Sequence, residues 1–266
     1  RATGIIDEIR SIEDAKLAHF FNPKSELDPE WCRFFAEFDV VVSYLFDPDG
    51  FFSGNLERAG VETLLIGPFK PKDEEPHRGA AAQLAEPLSQ LALFPEEEPL
   101  QLEFPPTEQD PSGKFRIGLH PGSGSPSKNW SFESWAKVLT EIQARRDDVE
   151  FVITSGEAEY ETIESFLTLL ENRKLPVTHL SNLTLLEIGA HFAQLDFYLG
   201  HDSGISHLAG VTGIRGLLLF GPTNPEVWAP QSKQFEVLRS PDATMAGLSP
   251  DEVLSRLEEM KLFTTS

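Results

Sequence analysis

The second half of the chain alternates two kinds of apolar spacing. Phe115–Leu119, Val149–Thr154, Val177–Leu180, Phe197–Leu199 and Gly216–Phe220 are short, nearly continuous apolar runs. That is the pattern of strands buried on both faces. Stretches with helical spacing lie between them. Over Ser131–Arg145, Phe132, Trp135, Val138, Leu139 and Ile142 share one face, and over Glu157–Glu171, Ile163, Phe166, Leu167 and Leu170 do the same. Thr184 opens a helix to Gln194 with Glu187 at its third position, a capping-box pattern. Ser249, Pro250 and Glu252 give a strong start signal for an amphipathic tail to Leu262. A short helix is expected at Gly204–Val211 and a last strand at Phe235–Leu238. Strands alternating with helices in this way predict βαβ units, a parallel sheet and helices on both faces, a Rossmann-like domain.

The first half is less regular. Phe38–Tyr44 and Val61–Ile66 read as strands, Trp31–Glu37 as a short helix, and Arg78–Leu93 as a helix kinked at Pro87. Between Phe94 and Gly113 the chain turns rich in proline and acids and loses its period. This reads as a linker with one short extended segment at Leu100–Phe104. The expected division is therefore a reduced α/β domain over 1–105 and a larger one over 106–266.

Composition narrows the chemistry. The 266 residues carry 43 Asp and Glu against 22 Lys and Arg, a net charge of −21. That sign repels nucleic acid and anionic lipid, though a local basic cleft for a small anion is compatible with it. Cys32 is the single cysteine, which excludes a disulfide within the chain and a Cys₂His₂ zinc site. No apolar run approaches the ~20 residues of a membrane span. The opening Arg1-Ala2-Thr3-Gly4 lacks the apolar core of a signal peptide and an initiator methionine, so the chain is expected to begin inside a longer protein.

In open α/β sheets ligands bind beyond the carboxyl ends of the strands. Small polar residues collect there: H-P-G-S-G-S-P-S-K-N-W after Leu119, S-G-E after Thr154, S-N-L-T after Leu180, G-H-D-S-G-I-S-H after Leu199, and G-P-T after Phe220. The G-H-D-S-G turn opens a helix, whose free N–H groups and dipole suit a phosphate. Gly204 would let a ligand approach, Ser203 and Ser206 would add hydroxyls, and His207 would donate to a phosphate oxygen. Ser123, Gly124 and Ser125 could cradle an anion with Lys128 as the point charge. Trp130 is expected to pack beneath that loop. The bland alternative is that Asp202 or Ser203 merely caps a helix and Lys128 is a solvated lysine. Neither a dinucleotide G-x-G-x-x-G nor a P-loop spacing is present.

Taken in order, H-P-G-S-G-S-P-S-K-N-W, S-G-E, G-H-D-S-G-I-S-H-L-A-G-V-T-G and L-F-G-P-T-N-P-E-V-W-A-P resemble glycosyltransferase family 9, which includes the ADP-heptose:lipopolysaccharide heptosyltransferases. The resemblance implies a GT-B-like fold: two Rossmann-like domains with parallel sheets facing a cleft, the N-terminal one reduced here. It implies inverting, metal-independent transfer of heptose or a similar sugar from a nucleotide diphosphate, ADP-linked, to a cell-envelope glycan or lipid-linked acceptor. No other cofactor is implied. The setting it implies is the cytoplasm, at most peripheral at the inner membrane face. Carried over, Asp202 would contact sugar hydroxyls, Ser203, Gly204 and Ile205 would hold the diphosphate, and Lys128 would neutralise it as it leaves. Glu157, or Glu159 on a shifted alignment, would meet the ribose, and Asn182, Leu183 and Thr184 would edge the adenine pocket.

The family opens with a strand and a turn carrying a catalytic aspartate, R-x-x-x-x-G-D. Arg1–Phe21 does not match it, so that segment is expected to be missing. Asp47, in F-D-P-D-G after the Phe38–Tyr44 strand, is the substitute candidate base, with Asp49 beside it; a simple D-P-D-G turn is the competing explanation. His77 and Arg78 could touch an anionic acceptor. Two other functions stay open: a relative that binds nucleotide without turnover, and an epimerase, for which too few acids and histidines are present.

Overall fold

A computed structural model of the chain describes residues 6–73, 78–94, 99–105 and 113–264. His77 and most of the expected linker lie outside the described residues. The chain divides into two compact units, Arg1–Glu97 and Glu98–Ser266. The boundary thus falls earlier than the expected 105/106. The reason is local packing: Leu102 N–H donates to the Val211 carbonyl at 2.8 Å, and the Phe104 ring lies over Gly189, where a side chain would collide with it. Leu100–Phe104 forms no strand but is tied to the second unit.

The first unit contains α1 (Pro29–Ala36), β1 (Val41–Ser43), α2 (Phe51–Arg58), β2 (Leu64–Ile66) and α3 (Ala80–Ala85). β1 and β2 pair in parallel, Val41 opposite Leu64. Both strands are three residues long, shorter than the apolar runs suggest. Pro87 ends α3 rather than kinking it, and Glu86–Leu91 continues as a 3₁₀ turn. The core is aromatic: Phe20, Trp31, Phe52 and Leu56 are buried together, with Cys32 half-buried beside them.

The second unit is built from β3 (Phe115–Leu119), α4 (Phe132–Arg145), β4 (Val149–Ser155), α5 (Ile163–Asn172), β5 (Val177–Ser181), α6 (Leu185–Phe192), β6 (Phe197–His201), α7 (Gly204–Val211), β7 (Gly216–Phe220), α8 (Pro225–Trp228), β8 (Phe235–Arg239) and α9 (Pro250–Glu259). Its sheet is entirely parallel in the order β5-β4-β3-β6-β7-β8. Period-two alternation splits the strands between two cores. Phe151, Ile153, Phe197, Leu199, Leu217 and Leu219 face α4, α5 and α9. Val152, Tyr198, Leu218 and Phe220 face α6 and α7.

Helix starts follow local chemistry. Ser131 accepts from Ser134 N and caps α4. Thr184 with Glu187 and Ser249 with Glu252 form complete capping boxes. The expected helix from Glu157 instead begins at Ile163, because Glu157–Glu159 makes a separate 3₁₀ turn. Strand order reverses between β3 and β6, the switch point at which the exits of two neighbouring strands diverge and leave a crevice.

Candidate functional site

That crevice holds a cavity of about 400 Å³. Its polar wall comes from the β3 exit (His120, Ser123, Gly124), the β4 exit (Ser155, Gly156, Glu157, Glu159) and the start of α7 (Ser203, Gly204). Its apolar wall comes from Leu183, Leu185, Ile188, Ile205 and Leu208. An amphipathic cavity of this size suits a small ligand with one flat apolar part and one charged part. A second cavity of about 320 Å³ shares Ser155 and Gly156 and includes Asn182.

Of the residues expected at the site, Ser123, Gly124, Glu157, Leu183, Ser203, Gly204 and Ile205 line the first cavity. Asn182 lines the adjoining one instead. Lys128 and Asp202 form an ion pair, Nζ to Oδ2 3.2 Å, with Asp202 buried and Lys128 half-buried. Asp202 immediately precedes the Ser203–Gly204 wall. At the start of α7 the Gly204 and Ile205 N–H groups precede any intrahelical acceptor, and a Cβ on Gly204 would meet nothing within 4 Å.

Several expected roles change in the structure. Ser206 is fully buried and turns inward: its Oγ donates to the His201 carbonyl at 2.5 Å. Ser203 Oγ caps α7 by accepting from Ser206 N, so Ser203 faces the cavity chiefly through its backbone. Ser123 Oγ is within hydrogen-bond distance of Ser125 O and Asn129 Oδ1, 2.8 and 2.6 Å. Ser125 Oγ meets Ser127 Oγ. The loop hydroxyls therefore hold the loop in shape. His207 Nε2–H donates to the Trp228 carbonyl at 3.1 Å, not outward to an anion. His207 is exposed overall, yet crowding of the ring lowers its basicity, partly offset by Asp202 and the Trp228 carbonyl.

Asp47 is a helix anchor. Its Oδ1 accepts from Phe52 N at 3.1 Å, and its Oδ2 from Ser53 N and Ser53 Oγ at 2.8 and 2.5 Å. Burial pushes its carboxyl up, but the hydrogen bonds from Ser53 and the α2 backbone outweigh that and hold it below the usual range. A carboxylate so engaged is a weak base. Asp49 is exposed.

Two buried histidines were not among the expected site residues. His201 Nε2 accepts from Trp130 N at 3.0 Å and Trp135 Nε1 at 3.2 Å, joining the β3 exit loop to β6. Burial, then the nearby His120, push its pKa down to about 3, against the Gly122 carbonyl that favours the charged ring. Its Nδ1 faces that carbonyl without closing a good hydrogen bond. Trp130 packs beneath the loop as expected, 3% exposed, its Nε1 donating to Leu248 O at 3.1 Å. His120 lies against Thr154 and Glu159, and its basicity is lowered, again chiefly by burial. Among the described residues no cluster of three or more His, Cys, Asp or Glu could hold a metal ion.

A two-unit α/β chain with this six-stranded parallel sheet and a cavity at its switch point is GT-B-like, the architecture of a large class of glycosyltransferases. The chain belongs to glycosyltransferase family 9 (heptosyltransferase), whose model matches residues 59–255. Lipooligosaccharide heptosyltransferase 2 of Campylobacter jejuni serotype O:2 is 31% identical over 130 residues, 47% of this chain and 40% of that protein. The homologous protein of serotype O:6 is 29% identical over 141 residues, covering 44% of its length. The chain thus spans less than half of these curated relatives. A family 9 glycosyl transferase from Veillonella parvula shares the fold with TM-score 0.68 at 17% identity, over 89% of this chain and 78% of that one. E. coli heptosyltransferase WaaC with ADP does so with TM-score 0.63 at 16% identity, over 86% and 77%. Among the described residues, no helix is long and apolar enough to cross a membrane.

Proposed function

We propose that the second unit binds a nucleotide-sugar donor, ADP-linked, and that the protein transfers heptose or a similar sugar to a cell-envelope glycan. The observation that carries this reading is the two-faced cavity at the switch point, with the Lys128–Asp202 pair joining two of the loops whose other residues line it. The base would lie against Leu183, Ile188, Ile205 and Leu208. The diphosphate would meet the Gly204 and Ile205 N–H groups. The WaaC structure with ADP supports the choice of adenine.

In the reaction proposed, an acceptor hydroxyl oxygen attacks the anomeric carbon from the face opposite the leaving group, inverting it, and the hydroxyl proton passes to solvent water. The bond to the diphosphate breaks, and its electron pair leaves with the nucleoside diphosphate. Charge builds on that leaving group, where a preorganised cation and helix N–H groups act most strongly. Lys128 would swing from Asp202 to the diphosphate, and Asp202, freed, would accept from sugar hydroxyls. These groups supply the stabilisation without a metal. The work would take place in the cytoplasm, with at most peripheral membrane contact.

A second reading is a relative that binds nucleotide without turnover. The engagement of Asp47 as a helix anchor favours it, since the acceptor proton then lacks that base. The first test is a thermal-shift titration against ADP, UDP, GDP and CMP. Ligand at a hundredfold excess over its dissociation constant stabilises by ~2.7 kcal/mol. A shift with ADP that Lys128→Ala reduces supports the donor site. A preference for UDP or GDP refutes the adenine assignment, and no shift refutes the site. Release of ADP from ADP-heptose with a glycan acceptor separates enzyme from binder.

A further inference from the structure

One pair of titratable groups in the cavity wall has no part in the scheme above. His120 and Glu159 both line the cavity and are about 94–95% buried. Their facing atoms, Nε2 and Oε2, are 3.8 Å apart. The other ring nitrogen is fixed: Nδ1 lies 3.1 Å from both the carbonyl oxygen and Oγ1 of Thr154, at the end of β4. A carbonyl oxygen can only accept, so the bond to it puts the hydrogen on Nδ1 and leaves Nε2 bare in the neutral ring. Glu159 is fixed too. Its Oε2 accepts from Gly156 N at 2.8 Å, and the carboxylate lies over Gly122, where any side chain would collide with it.

Two acceptors therefore face each other in a buried wall with no protein hydrogen between them. Adding a proton to Nε2 reverses the relation, turning an acceptor that faces the carboxylate into a charged donor aimed at it. The other titratable group facing the ring is His201, at the end of β6, which stays neutral across ordinary pH.

We propose that His120 is a positioning residue for the Glu159 carboxylate, leaving it free to accept hydrogen bonds from the hydroxyls of a bound nucleoside diphosphate while the ring is neutral and drawing it out of use when the ring is protonated. This rests on the donor-site reading and adds a proton-dependent control to it. Burial keeps the ring neutral near pH 7, so the carboxylate is available there and is withdrawn as the solution turns acid.

The test is calorimetric titration with ADP at about pH 7.5 and about pH 5 for the wild type, His120→Asn and Glu159→Gln. Asparagine keeps a donor toward Thr154 and removes Nε2; glutamine removes the carboxylate. Titration of the ligand's own phosphate is common to all three. The wild type is expected to lose measurably more affinity on acidification than either variant. At the higher pH, where the neutral ring makes no hydrogen bond to the carboxylate, His120→Asn is expected to bind within about twofold of the wild type and Glu159→Gln about fivefold more weakly. If both variants follow the wild-type pH profile, the inference is overturned while the donor site stands. If the wild type fails to bind ADP at either pH, the donor-site reading falls and takes this with it. Glu159→Gln decides the matter independently should His120→Asn not fold.

Discussion

His201 makes the sharpest quantitative prediction, because it links the fold to pH. It is fully buried, its pKa is pushed down to about 3, and its Nε2 is the acceptor for two buried tryptophan N–H groups. The unfolded chain carries an ordinary histidine with a pKa of about 6.5. The folded-state value is the lower one, so the unfolded state binds the extra proton. Stability is complete above about pH 6.5 and falls as pH drops from there toward 3. Between about pH 7.5 and about pH 5 one such group costs about 2 kcal/mol. His201→Gln can place Oε1 near the Nε2 position, so it keeps the acceptor and removes the titration. His201→Leu also removes the acceptor, leaving two buried donors unpaired at about 1–3 kcal/mol each. Urea unfolding followed by tryptophan fluorescence at both pH values reads all three proteins, since Trp130 and Trp135 sit at the contact. The expected result is a pH penalty about 2 kcal/mol smaller in His201→Gln than in the wild type, and His201→Leu about 2–6 kcal/mol less stable at the higher pH. An unchanged pH penalty in His201→Gln, or a Leu variant as stable as the Gln variant, would refute the reasoning.

Three further substitutions separate binding from folding. Gly204→Ala adds a Cβ into open space at a helix start; it should leave stability within about 0.5 kcal/mol and weaken ADP binding about tenfold in calorimetry, because the added methyl lies where a diphosphate must approach. Asp47→Ala removes the α2 anchor and should cost about 1 kcal/mol by urea titration, with nucleotide binding unchanged. Ser249→Ala breaks the capping box of α9, and a loss of about 1 kcal/mol by the same titration is expected.

How far the sequence could be read depended on the range of the interaction. The capping residues Ser131, Thr184 and Ser249 are legible because donor and acceptor lie three residues apart. The strands of the second unit are legible because each is apolar on both faces. The first unit was less so: β1 and β2 keep only three residues each, since pairing there ends where the two strands stop running side by side. Ser206 and His207 were read as outward-facing donors from their neighbourhood alone. Their partners, the His201 carbonyl and Trp228, are set by how α7 folds back on β6 and α8. The pairing of His120 with Glu159 spans 39 positions and two loops, and no local pattern announces it.

His201 lay within reach, however. Along β6 the side chains alternate: Tyr198 faces α6 and α7, while Phe197 and Leu199 face α4. Continuing the period by two places His201 on the α4 side, toward Trp135, which helical spacing had already turned inward. A histidine at a buried strand end opposite an inward tryptophan is an acceptor for an indole N–H before it is a ligand group. The next residues, Asp202 and Ser203, leave the strand, and from there the chain is free to serve the cavity. The division between fold and site in G-H-D-S-G therefore falls between His201 and Asp202, at the residue where β6 ends.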